Sequence, residues 1–120
     1  MKNEFVPYDI ALALKELGFD EVCFVFYLDS EHLGRVGEYE SINSMGEYLA
    51  ATLYQQAFRW FREKGYHCGI IPRYDEFHYF IKDFVNDKEY DDVYNISSYE
   101  EAELACLRKL IEIIKNKEDE

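Results

Sequence analysis

The stretch from Ser98 to Lys117 constrains this chain more than any other part of it. It opens on Ser98-Tyr99-Glu100-Glu101, a capping box in which the serine oxygen accepts the third helical N–H and the glutamate reaches back toward the cap. The two acids also stand where the helix dipole favours negative charge. Ala102, Cys106, Leu107, Leu110, Ile113 and Ile114 then fall on one face at about 100° per residue, and Lys115 and Lys117 close the C-terminal end. A helix of this kind is stable when that face is covered. The closing Glu118-Asp119-Glu120 is expected to fray.

Strand-like sequence upstream supplies the cover. Residues 67–73, 77–84 and 92–96 read as three strands. Tyr74-Asp75-Glu76 joins the first two, and Asn86-Asp87-Lys88-Glu89-Tyr90-Asp91 leads into the third. In the middle strand Phe77, Tyr79 and Ile81 alternate with His78, Phe80 and Lys82, so one face is the cleaner. Before them lies a helix over about 50–64. Its start fits a second capping box, Thr52-Leu53-Tyr54-Gln55, and Leu53, Tyr54, Ala57, Phe58, Trp60 and Phe61 give it a broad apolar face before Gly65 ends it.

Nearer the N-terminus, Pro7 suits a first helical turn. Ile10, Leu12, Ala13, Leu14 and Leu17 recur at helical spacing, and Gly18 suits the left-handed position beyond a helix end. The helix expected here covers about 7–17. Val22-Cys23-Phe24-Val25-Phe26-Tyr27-Leu28 is apolar on both parities and reads as a central or well-covered strand. Residues 29–47 carry turn signals and three glycines. They are the expected mobile region, with 35–42 open to pairing back as a short strand. The expected architecture is α+β: one domain over 1–117, with an antiparallel sheet of about four strands and about three helices packed on it. The element order is α-β-(β)-α-β-β-β-α, and 118–120 form an acidic tail.

Composition narrows function mainly by exclusion. The chain has 120 residues, 13 Lys and Arg against 25 Asp and Glu, and a formal charge of −12. That balance disfavours nucleic acid and anionic membrane as partners, since both call for clustered Lys and Arg. Aromatics at 18% supply enough apolar surface to offset the ordering entropy of a folded chain. The three cysteines, Cys23, Cys68 and Cys106, form no C-x-x-C pair and each sits in an apolar run. They read as reduced core thiols. Neither a secretory leader nor a membrane-spanning run is visible, so the expected location is the cytoplasm.

His67 and Cys68 are adjacent, so on a strand they face opposite ways, and His78 across a hairpin makes at most a second ligand. Asp87-Lys88-Glu89-Tyr90-Asp91-Asp92 alternates acids as a calcium loop does, yet lacks the glycine at loop position six and the terminal bidentate glutamate. Among the serines, Ser30, Ser41, Ser44, Ser97 and Ser98, none occupies a Gly-x-Ser-x-Gly setting, and Ser98 acts as a helix cap. A glycine-rich phosphate cradle is also missing. The sequence therefore nominates no catalytic, cofactor-binding or metal residues, and a non-enzyme without cofactor is expected. From residue 50 onward the order helix, three strands, helix is that of a double-stranded-RNA-binding domain. The last helix, however, places Glu100, Glu101 and Glu103 where such domains hold bases against phosphates.

Three segments together carry a wider resemblance. They are Phe5-Val6-Pro7-Tyr8-Asp9-Ile10-Ala11 running to Leu17-Gly18-Phe19, then Leu53-Tyr54-Gln55-Gln56-Ala57-Phe58-Arg59-Trp60-Phe61-Arg62-Glu63-Lys64, and Tyr99-Glu100-Glu101-Ala102-Glu103-Leu104-Ala105-Cys106-Leu107. On these the chain resembles a recurrent family of short uncharacterised proteins of bacterial and phage-derived genomes. Members often carry Pro where this chain has Thr52, and either residue suits a helix start. The resemblance implies a single small domain from a bacterial or mobile genome and transfers no mechanism.

The expected function is thus a small acidic cytoplasmic accessory module, non-enzymatic, whose partner is another protein, with no nucleic acid and no membrane involved. The alternative is a nucleic-acid mimic that blocks a nucleic-acid-binding protein by presenting carboxylates as phosphates are presented. A small-molecule pocket between helices and sheet is the third possibility.

Overall fold

The computed structural model describes residues 5–19, 25–27, 32–35, 49–50 and 52–118. The element order is α1 (Tyr8–Glu16), β1 (Val25–Tyr27), β2 (Leu33–Arg35), β3 (Leu49–Ala50), α2 (Tyr54–Glu63), β4 (Tyr66–Arg73), β5 (Glu76–Asp83), β6 (Lys88–Ile96) and α3 (Tyr99–Glu118). The chain is α+β with antiparallel pairing throughout its named strands. Its strands group as two three-stranded sheets, ordered β2-β1-β3 and β4-β5-β6. The sequence suggested one sheet of about four strands; the difference arises because the short strands before α2 pair among themselves. Internal contacts divide the chain into two compact units, Met1–Gln56 and Ala57–Glu120.

In the first unit, Pro7 stands at the N-cap with an extended backbone, one position before the helix rather than inside it. The other end of α1 is a Schellman turn: Gly18 sits at φ +97°, its N–H donates to the Lys15 carbonyl, and the Phe19 N–H donates to Leu14. Phe19 and Leu14 are both buried, which supplies the apolar contact this motif favours. Tyr27 donates its hydroxyl hydrogen bond to the Val6 carbonyl and meets Tyr8 edge-on at 5.3 Å. Much of the strand expected at 22–28, most of the strand at 35–42 and most of the mobile region expected at 29–47 lie outside the described residues. So does the end of the acidic tail.

The helix expected from about residue 50 begins only at Tyr54. Leu49 and Ala50 pair with Tyr27 and Phe26 as β3, and the Thr52 carbonyl accepts the Val6 N–H at 2.8 Å, so backbone bonding holds these residues extended. The capping box consequently moves by one residue. Gln56 Oε1 accepts the Leu53 N–H at 3.1 Å, as the third helical residue does toward its cap. Thr52 is buried instead, with its hydroxyl unpartnered.

The second unit is built on a meander. β4 and β5 pair over their full length from Tyr66 opposite Asp83 to Arg73 opposite Glu76. Between β5 and β6 the register advances three residues on β6 for every two on β5 at two places, so β6 carries two extra residues that bend it. Strand alternation sends Tyr66, Cys68 and Ile70 of β4 to the face shared with Tyr79, Ile81 and Asp83 of β5, and α3 packs against these two strands. Ala102, Cys106, Leu107, Leu110, Ile111 and Ile113 are the buried residues of α3, close to the stripe read from its periodicity. At the start of α3, Ser98 Oγ accepts the Glu101 N–H at 3.1 Å. The Glu101 carboxylate takes a hydrogen bond from the Ser97 hydroxyl rather than from the cap.

Candidate functional site

The residues singled out for metal chemistry do not converge. His67 stands opposite Lys82, and His78 stands opposite Ile71, four positions farther along β4, which at the strand rise is about 13 Å. His67 instead meets the Phe84 ring edge-on at 4.9 Å. Among the described residues no three His, Cys, Asp or Glu side chains gather in a way that could hold an ion. The acid-rich stretch expected as a turn at 86–91 is also different: β6 begins at Lys88, and Lys88, Glu89 and Tyr90 pair with Asp83, Lys82 and Ile81, so the stretch is strand and not a twelve-residue ion loop.

What the structure does assemble is a charged cluster at the foot of the meander. Asp83 occupies the last core-facing position of β5 and is only 1% exposed. A carboxylate this deeply placed is costly unless its lone pairs are met. Here they are met by four donors. Oδ1 accepts the backbone N–H groups of Val85 at 3.0 Å and Asn86 at 3.1 Å. Oδ2 accepts the Asn86 side-chain amide at 2.9 Å and the Lys117 ammonium at 2.7 Å. Burial alone would raise the Asp83 carboxyl, but the bonds from Lys117 and Asn86 prevail and hold it down to about 2. Lys117 also donates to the Tyr66 hydroxyl at 2.6 Å, and its pairing with Asp83 raises its own pKa.

The cluster fixes the turn at 84–87. Asp83 holds the turn from below through two of its N–H groups, and the Phe84 N–H donates to the Gly65 carbonyl at 3.0 Å. Gly65, at φ +97°, leaves room for this approach: a Cβ there would stand 2.7 Å from Val85 Cγ2. The outcome is that Phe84 and Val85 are presented to solvent, 65% and 70% exposed, on a turn with little freedom. Beside it lies a cleft of about 440 Å³ between the start of β6 and the last turns of α3. Asn86, Lys88, Tyr90, Lys109 and Lys117 line it, with Glu112 paired to Lys109 at 3.6 Å. Of its three lysines, Lys117 is paired with Asp83 and Lys109 with Glu112, which leaves Lys88 as the cation of the lining that neither ion pair takes up.

The second arrangement is a pair of thiols. Cys68 on β4 and Cys106 on α3, read from sequence as separate core residues, shift each other's titration in opposite directions. Cys106 is fully buried and Cys68 half-buried. The Cys106 thiol, with the Arg62 guanidinium, lowers the Cys68 pKa against the effect of burial. Cys68 together with burial raises Cys106.

Reasoning from sequence named none of Asp83, Lys117, Tyr66, Phe84 and Val85 as functional, although a signal was present. Asp83 continues the apolar parity of Phe77, Tyr79 and Ile81, and Lys117 continues the stripe of Cys106, Leu110 and Ile113. An acid and a base at core positions of two neighbouring elements point to a buried pair. Comparison with family models, curated proteins and solved structures finds no match for the chain. No helix among the described residues is long and apolar enough to cross a membrane.

Proposed function

We propose that this chain is a non-enzymatic interaction module whose contact surface is the turn at 84–87, acting as an accessory protein in the cytoplasm of a bacterial cell. One observation carries this reading: two large apolar side chains stand on a turn whose backbone is bonded to the buried Asp83 carboxylate. Scattered exposed apolar residues are ordinary, but a turn preorganised by a buried carboxylate loses little conformational entropy when it is covered. The adjoining cleft defines the complement. A partner segment with an apolar residue against Phe84 and Val85 and a carboxylate facing Lys88 fits both features. Nucleic-acid mimicry draws on net charge alone, whereas the braced turn is a feature of shape. The bacterial or mobile-element origin rests on the family resemblance of the three segments quoted above.

The test is capture from a lysate of the host cell by the tagged chain, compared with Phe84→Asp and Val85→Asp, and with Tyr74→Asp as a control at another exposed aromatic. Both turn variants are expected to lose a specific protein that the wild type and the Tyr74 variant retain, by tenfold or more, with unchanged thermal midpoints. Equal capture by all four chains, or a strict monomer that retrieves nothing, overturns the proposal.

A further inference from the structure

We propose that the outer face of the β4-β5-β6 sheet is a self-association surface, on which a second copy of this chain docks with its strands antiparallel. The register between β4 and β5 runs unbroken from Tyr66 opposite Asp83 to Arg73 opposite Glu76, so their side chains alternate cleanly between two faces. One face carries Tyr66, Cys68, Tyr79 and Ile81, and α3 packs against it. The other carries Ile71 and Arg73 of β4 beside Glu76, Phe80 and Lys82 of β5. On this second face Ile71 stays 39% exposed, and Arg73, Glu76 and Lys82 stand in solvent. Phe80 lies down across β4 where Gly69 leaves room: a Cβ at Gly69 would stand 2.6 Å from Phe80 Cε1. The ring therefore makes the centre of the face flat and apolar, the kind of surface on which a second sheet packs at about 10 Å.

Charge decides the occupant. On β4 and β5 this face holds two cations, Arg73 and Lys82, and one anion, Glu76, on a chain of charge −12. Two strongly acidic copies can therefore approach each other here. Along β5, Glu76 and Lys82 stand three residues to either side of Tyr79, about 10 Å from it at the strand rise. A two-fold axis that crosses the strands at Tyr79 lays β5 of one copy antiparallel over β5 of the other. Each Glu76 then faces Lys82 of the second copy, His78 faces Phe80, and Ile71 lies over the pair of Gly69 and Phe80. An axis running along the strands would instead set Glu76 against Glu76 and Lys82 against Lys82. An isologous contact must be self-complementary, and only the antiparallel arrangement satisfies that condition.

Three strands of eight or nine residues span about 27 by 14 Å. That is the low end of specific interfaces, so a reversible dimer of micromolar affinity is expected. The two charge pairs lie within β5 and do not involve Phe84 or Val85, so self-association and capture of another protein are measured separately.

The test is sedimentation velocity on the full chain over a dilution series up to about 0.3 mM, well above a micromolar constant. Wild type is expected to pass from the mass of one chain to that of two as its concentration rises. Glu76→Lys and Lys82→Glu each place like charges across the axis, and each alone is expected to weaken the dimer about tenfold or more. Mixed in equal amounts, the two variants regain both opposite-charge contacts. They are then expected to pair with each other within about threefold of the wild-type constant. Both variants remain strongly acidic chains, so net charge does not draw them together. A wild type that stays monomeric at the highest concentration overturns the proposal. So do single variants that dimerise as wild type does, or a mixture no more associated than its components. The substitutions are at exposed positions, and the wild-type measurement stands whether or not a variant folds poorly.

Discussion

The meander of the second unit ends in two turns that look alike by exposure and differ in how they are held. Each carries a non-glycine residue in left-handed backbone, Tyr74 at φ 59° and Asp87 at φ 54°, and each exposes large side chains. Tyr74 projects from a two-residue tip closed by Arg73 opposite Glu76, and is 95% exposed. The turn at 84–87 is tied from beneath by Asp83, Asn86, Lys117 and Gly65. An exposed aromatic at a hairpin tip is what strand geometry leaves over. Exposed apolar residues anchored to a buried carboxylate are held there by the core itself, which is why the second turn and not the first is the better candidate surface.

The most damaging way to break that contrast is Asp83→Ala. It strips the acceptor from two backbone N–H groups, an amide and a half-buried ammonium at once. A loss of about 3 kcal/mol in unfolding free energy is expected, measured by urea denaturation, with local hydrogen exchange at 84–87 rising alongside. A loss below about 1 kcal/mol means that the turn does not depend on the carboxylate.

Acid should expose the same dependence more gently. The Asp83 carboxyl is held at about 2 in the folded chain against 3.8 unfolded, so the unfolded state takes up the proton first. Its contribution of about 2 kcal/mol is whole above pH 5 and drains away as the pH falls from about 4 toward 2. Asp83→Asn is expected to lack this segment of the stability profile, and a variant profile parallel to wild type over that range contradicts the assignment.

At the other turn the expected effect is small. Tyr74→Gly relieves a left-handed tyrosine but adds freedom to the unfolded chain, and these oppose each other. The thermal midpoint should correspond to a change under about 0.5 kcal/mol. A destabilisation of more than about 1 kcal/mol would reveal an unrecognised brace at the tip and erase the difference between the two ends.

Much of this architecture was legible before any coordinates. The Ser98 cap, the stripe from Ala102 to Ile113 and the three strands of the meander are local patterns, and local patterns survive into the fold with ends shifted by a few residues. The start of α2 was misplaced because Thr52-Leu53-Tyr54-Gln55 satisfies capping rules on paper, while backbone pairing of Leu49 and Ala50 with β1 and the bond from Val6 to Thr52 hold the chain extended as far as the cap. The expected turn at 86–91 was too long for a related reason: charge marks turns in sequence, but Lys88, Glu89 and Tyr90 find strand partners in Asp83, Lys82 and Ile81.

The candidate sites belong to a different order of information. By itself the sequence determined the class, the helix that needs cover, the alternating strands and the acidity, because each follows from the spacing of side chains along a few turns or a few strand residues. Only the tertiary structure decided that Asp83 meets Lys117. That pair joins a strand to a helix 34 residues away, and contact at that separation is fixed by register and packing angle, which no local pattern encodes.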